Sequence, residues 1–165
     1  MLKMEIKGLL MDPVSNMPVV ILRDAADGVF LPIWVGIFEA NAIAIEMEKV
    51  TTPRPMTHDL LKNVLTELET KVDRIVINDL RDNTFFARIH LSRGTTTWNI
   101  DSRPSDAIAL ALRSKAEIFV EEEVLEKSRT LRAEGEEQDP ERLRKWLEEV
   151  NPEELGKYKI GRAHV

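Results

Sequence analysis

The chain repeats itself, and the repeat limits the folds open to it. Residues 4–47 read as strand, turn, strand, strand, helix, and residues 72–112 read the same way. Asp12 and Asn16 bracket the first turn as Asp79 and Asn83 bracket the second, at the same spacing. Asn41-Ala-Ile-Ala44 in the first helix answers Asp106-Ala-Ile-Ala109 in the second. A unit this long, present twice, predicts two halves sharing one core rather than a solenoid. Hairpins placed ahead of helices predict an α+β fold, with an internally duplicated β-β-β-α unit around a largely antiparallel or mixed sheet. Between the halves, Thr57 is positioned as the N-cap of a connector helix through Thr70. Its apolar face is Leu60, Leu61, Val64, Leu65 and Leu68. Asp79 to Asn83 reads as a turn, Ile118 to Val120 as a short apolar run, and Glu121 to Glu123 as the start of a short helix.

The texture changes at Ser128. Residues 129–138 are charged and poor in apolar side chains, which predicts a linker or loop. Pro140 then opens a short helix whose apolar stripe is Leu143, Trp146, Leu147 and Val150. The expected division is one domain over 1–130 and a charged linker with a C-terminal helix over 131–165.

At 43% hydrophobic residues the chain can bury a sizeable core. It contains no cysteine, which excludes disulfides and thiol chemistry. Met1 to Leu10 carries Lys3, Glu5 and Lys7 and does not resemble a signal peptide. No window approaches a membrane span, so the expectation is a soluble cytoplasmic protein without a membrane partner. The net charge of −6 arises mainly after residue 116, and the body before it is close to neutral. Nucleic acid, if bound, would have to be held by a local arginine cluster rather than by the overall field.

Chemistry concentrates in one corner. From Asp101 to Asp106 the chain sets two carboxylates, two hydroxyls and one guanidinium ahead of an apolar helix whose first position suits Pro104. Asp101 and Asp106 could hold a divalent cation, because Mg²⁺ sites commonly use one or two carboxylates. Asp106 could equally cap the helix, as Asn41 could in the first half. Arg54 and Arg103 each precede a predicted helix, where an anion on the free N–H groups would make a cation useful. Pairing with Asp59 and Asp106 is the simpler account of both. His58 is either a solvent-facing residue at a helix start or a general base. Glu39, among apolar neighbours, is either a first-turn acid or a buried functional carboxylate. No Walker A, dinucleotide or paired-histidine zinc motif is present, and His58, His90 and His164 are scattered.

Four stretches together resemble the bifunctional nuclease domain family. They are Leu31-Pro-Ile-Trp-Val-Gly36 with Glu39-Ala40, Arg54-Pro55 with Thr57-His-Asp-Leu-Leu61, Asn78-Asp-Leu80 with Thr84-Phe85, and Ile100-Asp-Ser-Arg-Pro-Ser-Asp-Ala-Ile-Ala-Leu110. The resemblance spans roughly residues 1–130. It implies a compact α+β domain, usually oligomeric, in a family named for a plant member that degrades both RNA and DNA. It transfers no catalytic set position by position.

Two expectations follow. The first is a phosphodiesterase acting on RNA and DNA without base specificity. In it Mg²⁺ or Mn²⁺ sits on Asp101 with Asp106 or Glu39, Arg103 and Arg54 stabilise phosphate charge, and His58 moves a proton. The second is a non-enzymatic oligomeric module whose corner binds a small anion or a protein partner. In both, a homo-oligomer is expected, with a dimer favoured.

Overall fold

The structure, a computed structural model, describes residues 1–26 and 28–134. Its elements are β1 (Leu2–Met11), β2 (Pro18–Arg23), β3 (Phe30–Trp34), α1 (Ile37–Met47), α2 (Thr57–Glu67), β4 (Lys71–Arg81), β5 (Thr84–Arg93), β6 (Thr96–Ser102), α3 (Pro104–Ser114), β7 (Glu117–Val120) and α4 (Glu122–Glu134). The expected α+β fold is present. Each half supplies an antiparallel three-stranded meander followed by a helix. The strands form a single sheet in the order β3-β2-β1-β7-β4-β5-β6. The two meanders therefore run outward in opposite directions from β7.

That central strand is the short apolar run at Ile118 to Val120. It pairs antiparallel with β1 and parallel with β4, which makes the sheet mixed. Two ladders hold this four-residue strand, with Ile118 and Val120 buried and Glu117 exposed on the alternate positions. Pro32 lies on the outer strand β3, where its missing N–H interrupts no ladder.

One face of the sheet makes the core. Val20 and Leu22, Ile75 and Ile77, Ala87 and Ile89, and Ile118 and Val120 join Ala107 to Ala111 of α3 in one buried cluster. Helix α3 begins as its sequence dictates. Arg103 is extended, as a residue before proline should be, and Pro104 takes the first turn. Lys115 ends it in the left-handed region at φ 55°. Helix α1 packs beside α3, and α2 packs on α3 from outside.

Four local expectations are corrected. Helix α2 starts at Thr57 rather than being capped by it, and Met56 is the N-cap. The apolar face of α2 is mostly outside the core. Leu65 packs against the core, whereas Leu60, Leu61, Val64 and Leu68 are exposed. Asp79 is not a turn residue, because a bulge between Ile77 and Asp79 carries β4 on to Arg81. The second turn is Asp82-Asn83, both at positive φ. Residues 129–134 continue α4 instead of starting a linker. The expected helix at 140–150 lies outside the described residues. Among the described residues, no helix is long and apolar enough to cross a membrane.

Truncating Ile108 should cost about 2–5 kcal/mol, as expected for a fully buried isoleucine. Leu60→Ser on the open side of α2 should stay within about 0.5 kcal/mol of wild type. Urea denaturation of both variants checks this; a large loss from Leu60→Ser would put the α2 face inside the core.

Candidate functional site

Three helix N-termini meet at the corner. Counting from Ile37, Thr57 and Pro104, each helix has an acid at its third position: Glu39, Asp59 and Asp106. By helix start, Glu39 rather than Asn41 is the counterpart of Asp106. Carboxylates suit these positions electrostatically. Here, however, each also reaches a side chain on another segment.

Arg103 stands between two of them. Its Nη1 donates to Glu39 Oε1 at 2.9 Å and its Nε donates to Asp106 Oδ2 at 2.8 Å. The second oxygen of Asp106, Oδ1, lies 2.9 Å from His58 Nε2 on α2. His58 and Glu39 are largely covered, at 14% and 19% side-chain exposure, while Arg103 is 65% exposed. Burial pushes the Asp106 carboxyl up, but the hydrogen bonds from His58 and Arg103 and the guanidinium charge outweigh it, leaving the group below its ordinary range. The same contacts, with Asp106 first and Glu39 next, raise Arg103 above its ordinary value. Glu39 folds back over Gly36, and a Cβ at Gly36 would collide with its carboxylate. The glycine is thus needed for space, since its φ of −72° suits any residue.

A second ion pair supports this arrangement. Arg113, at 2% side-chain exposure, donates from Nε to Asp59 Oδ1 at 2.6 Å. Its Nη1 bonds the Ala109 carbonyl of α3 and its Nη2 bonds the Ala42 carbonyl of α1, both at 2.9 Å. Asp59 Oδ2 accepts the Met56 N–H at 2.9 Å. Burial would raise the Asp59 carboxyl; the Met56 N–H and Arg113 more than reverse it. One guanidinium therefore ties α1, α2 and α3 together next to His58.

The corner opens into a cleft of about 1180 Å³ between α1, α2 and the β5–β6 strands. Phe38, Leu60, Leu61 and Phe85 line its apolar part. Phe38 is 87% exposed.

The structure gathers Glu39, His58, Arg103 and Asp106 and leaves two expected residues outside this contact network. Asp101 lines the cleft and pairs across the ladder with Arg88, while Ile100, which is exposed, and Ser102 stand on the alternate face across from Ile89 and Ala87. Arg54 sits exposed in the loop before α2 and does not line the cleft; its carbonyl accepts from Thr52 Oγ1. Of the expected Mg²⁺ or Mn²⁺ ligands, Glu39 and Asp106 both contact Arg103, and Asp101 pairs across the ladder with Arg88. Among the described residues, no three His, Cys, Asp or Glu side chains form a group able to hold a metal ion. A guanidinium lies between Glu39 and Asp106 instead. Sequence reasoning missed the Asp59–Arg113 pair as a unit. A cation in the last turn of α3 reads as an ordinary dipole partner, and the fold alone buries it.

The profile of the bifunctional nuclease domain matches residues 20–132, more than half of the chain. The chain belongs to the bifunctional nuclease domain family. It is 33% identical over 162 residues to an uncharacterized protein of Mycobacterium tuberculosis, covering 93% of this chain and 97% of that one. It is 27% identical over 116 residues to Bifunctional nuclease 1 of Arabidopsis thaliana, covering 68% of this chain and 36% of the plant protein. Bifunctional nuclease 1 of Oryza sativa subsp. japonica is 24% identical over 114 residues, covering 67% and 34%.

Arg113→Met should destabilise by about 2–4 kcal/mol, somewhat less than breaking a fully buried pair because Asp59 still touches water. Arg103→Ala, at an exposed position, should change stability little. Chemical denaturation separates the two roles. Asp59 and Asp106 are both depressed below the ordinary value of 3.8. Their stabilising contribution is complete above that value and is lost as pH falls through their folded-state values. The acid limb of a stability–pH profile should therefore flatten in Asp59→Asn.

Proposed function

We propose that the corner cleaves phosphodiester bonds of single-stranded RNA and DNA. The observation that carries this reading is the chain of contacts His58–Asp106–Arg103 at the mouth of an apolar cleft. Asp106 fixes the orientation of the imidazole, as a base in a hydrolytic site requires. His58 takes a proton from water, the water oxygen bonds to phosphorus, and the bond from phosphorus to the leaving oxygen breaks. That oxygen is protonated from solvent. Arg103 donates to the non-bridging oxygens as charge builds there. Water as nucleophile needs no 2′-hydroxyl, which fits both substrates. No step passes through a divalent ion, because the carboxylates that would bind it hold Arg103.

The cleft supports an unpaired strand. Phe38 and Phe85 offer flat apolar faces on which bases can stack, and a duplex keeps its bases inside. The plant relatives named as bifunctional nucleases support the reaction class.

One observation favours a second reading, a non-catalytic oligomeric module: α2 buries none of its residues completely and leaves an apolar side open. The exposed strand β6 at the sheet edge gives a homo-oligomer, with a dimer favoured, a second surface.

Purified protein should cut single-stranded RNA and DNA, and His58→Ala should lower the rate about 100-fold or more with unchanged melting. Phe38→Ala should weaken single-strand binding about tenfold, since stacking is worth roughly 1–3 kcal/mol per base. Cleavage that survives His58→Ala excludes this corner as the active site. An inactive wild type that scatters light as a dimer favours the module.

A further inference from the structure

We propose that Arg103 is the resident cation of the corner, standing where a divalent metal would sit, and that the corner selects the singly charged phosphodiester group without any metal. This rests on the corner being the phosphate site. Three of the four oxygens of Glu39 and Asp106 already meet a side-chain partner. Asp106 Oδ1 meets His58 Nε2, Asp106 Oδ2 meets Arg103 Nε and Glu39 Oε1 meets Arg103 Nη1. Glu39 Oε2 rests against Gly36. A divalent ion entering here would have to displace a guanidinium that never loses its charge near neutral pH.

The two contacts leave Arg103 with unused N–H groups. Of the five donors of a guanidinium, one on Nε and one on Nη1 are taken, and the side chain is 65% exposed. The remaining donors can meet phosphate oxygens. The charge balance sets which phosphate: two carboxylates stand against one guanidinium, so each added negative charge on the ligand meets repulsion. A phosphodiester brings one such charge and a terminal phosphate monoester brings nearly two. The corner thus favours internal linkages of a chain over free ends and mononucleotides. Glu39 on this account is a counter-charge that limits anion binding. As a metal ligand it would promote binding instead, so the two roles predict opposite signs for its removal.

The test measures binding of a fluorescent deoxythymidine decamer without terminal phosphate, and of thymidine 5′-monophosphate, by wild type, Glu39→Gln, Arg103→Ala and Arg103→Lys. Titrations run in EDTA and in Mg²⁺ at matched ionic strength, with melting curves as the folding control. Mn²⁺ binding to the apo protein is read separately by electron paramagnetic resonance. The inference expects decamer binding that is equal in EDTA and Mg²⁺, and no bound Mn²⁺ at the corner. It expects a loss of about tenfold in Arg103→Ala, partly restored in Arg103→Lys, and a gain in monophosphate affinity in Glu39→Gln. Binding that needs Mg²⁺, or that Glu39→Gln weakens, overturns the resident-cation assignment while leaving the corner as a phosphate site. Equal decamer binding by wild type and Arg103→Ala overturns both.

Discussion

A single buried guanidinium decides where the walls of the cleft stand. Arg113 leaves the last turn of α3 and, at 2% exposure, bonds its own helix at Ala109, α1 at Ala42 and α2 at Asp59. Burying a charge is costly unless it is paired and hydrogen-bonded, so the three contacts of this group favour one arrangement of the three helices. The consequence is largest for α2. That helix has no fully buried residue, and its hold on the body comes from Leu65 and the contacts of His58 and Asp59. Because His58 precedes Asp59, the clamp that fixes α2 also fixes the imidazole beside Asp106.

The corner itself uses charge differently. Its ion pairs are partly open to water, where such pairs add little stability. Their value is positional: Asp106 divides its oxygens between His58 and Arg103, and Glu39 restrains the guanidinium from the other helix. The duplicated architecture explains how Glu39 and Asp106 come to face the same guanidinium. Equivalent first-turn acids on two helices packed side by side are carried to one place by the pairing of the halves about β7. The third acid, Asp59, joins through the connector and serves the scaffold.

Much of the fold was legible because local chemistry and global structure agree. Asn16 and Asn83 occupy left-handed turn positions that favour asparagine, Pro104 opens α3, and the Ala-Ile-Ala helices are buried as their composition implies. The site was legible in part. The stretch from Asp101 to Asp106 named the right corner, and Glu39 and His58 were singled out as polar residues beside apolar runs. Asp101 stays outside the corner's contact network because a strand turns alternate residues to opposite faces, and Asp101 stands across from Arg88. A list of acids does not say which cation lies between them, and here Arg103 lies between Glu39 and Asp106.

The sequence by itself determined the repeat, the α+β class, the start of α3 and the corner, since each depends on residues near one another in the chain. Tertiary structure alone decided three further things. It put four residues, Glu117–Val120, at the centre of the sheet between two meanders, a choice made by pairing with β1 and β4 at once rather than by local pattern. It left the apolar side of α2 facing a cleft, because Arg113 docks that helix by its N-terminal turn. And it set Arg103 between Glu39 and Asp106, a contact that spans 64 residues of chain on one side and 3 on the other. Long-range charge pairing of this kind follows from how the two halves meet, which no stretch of either half encodes.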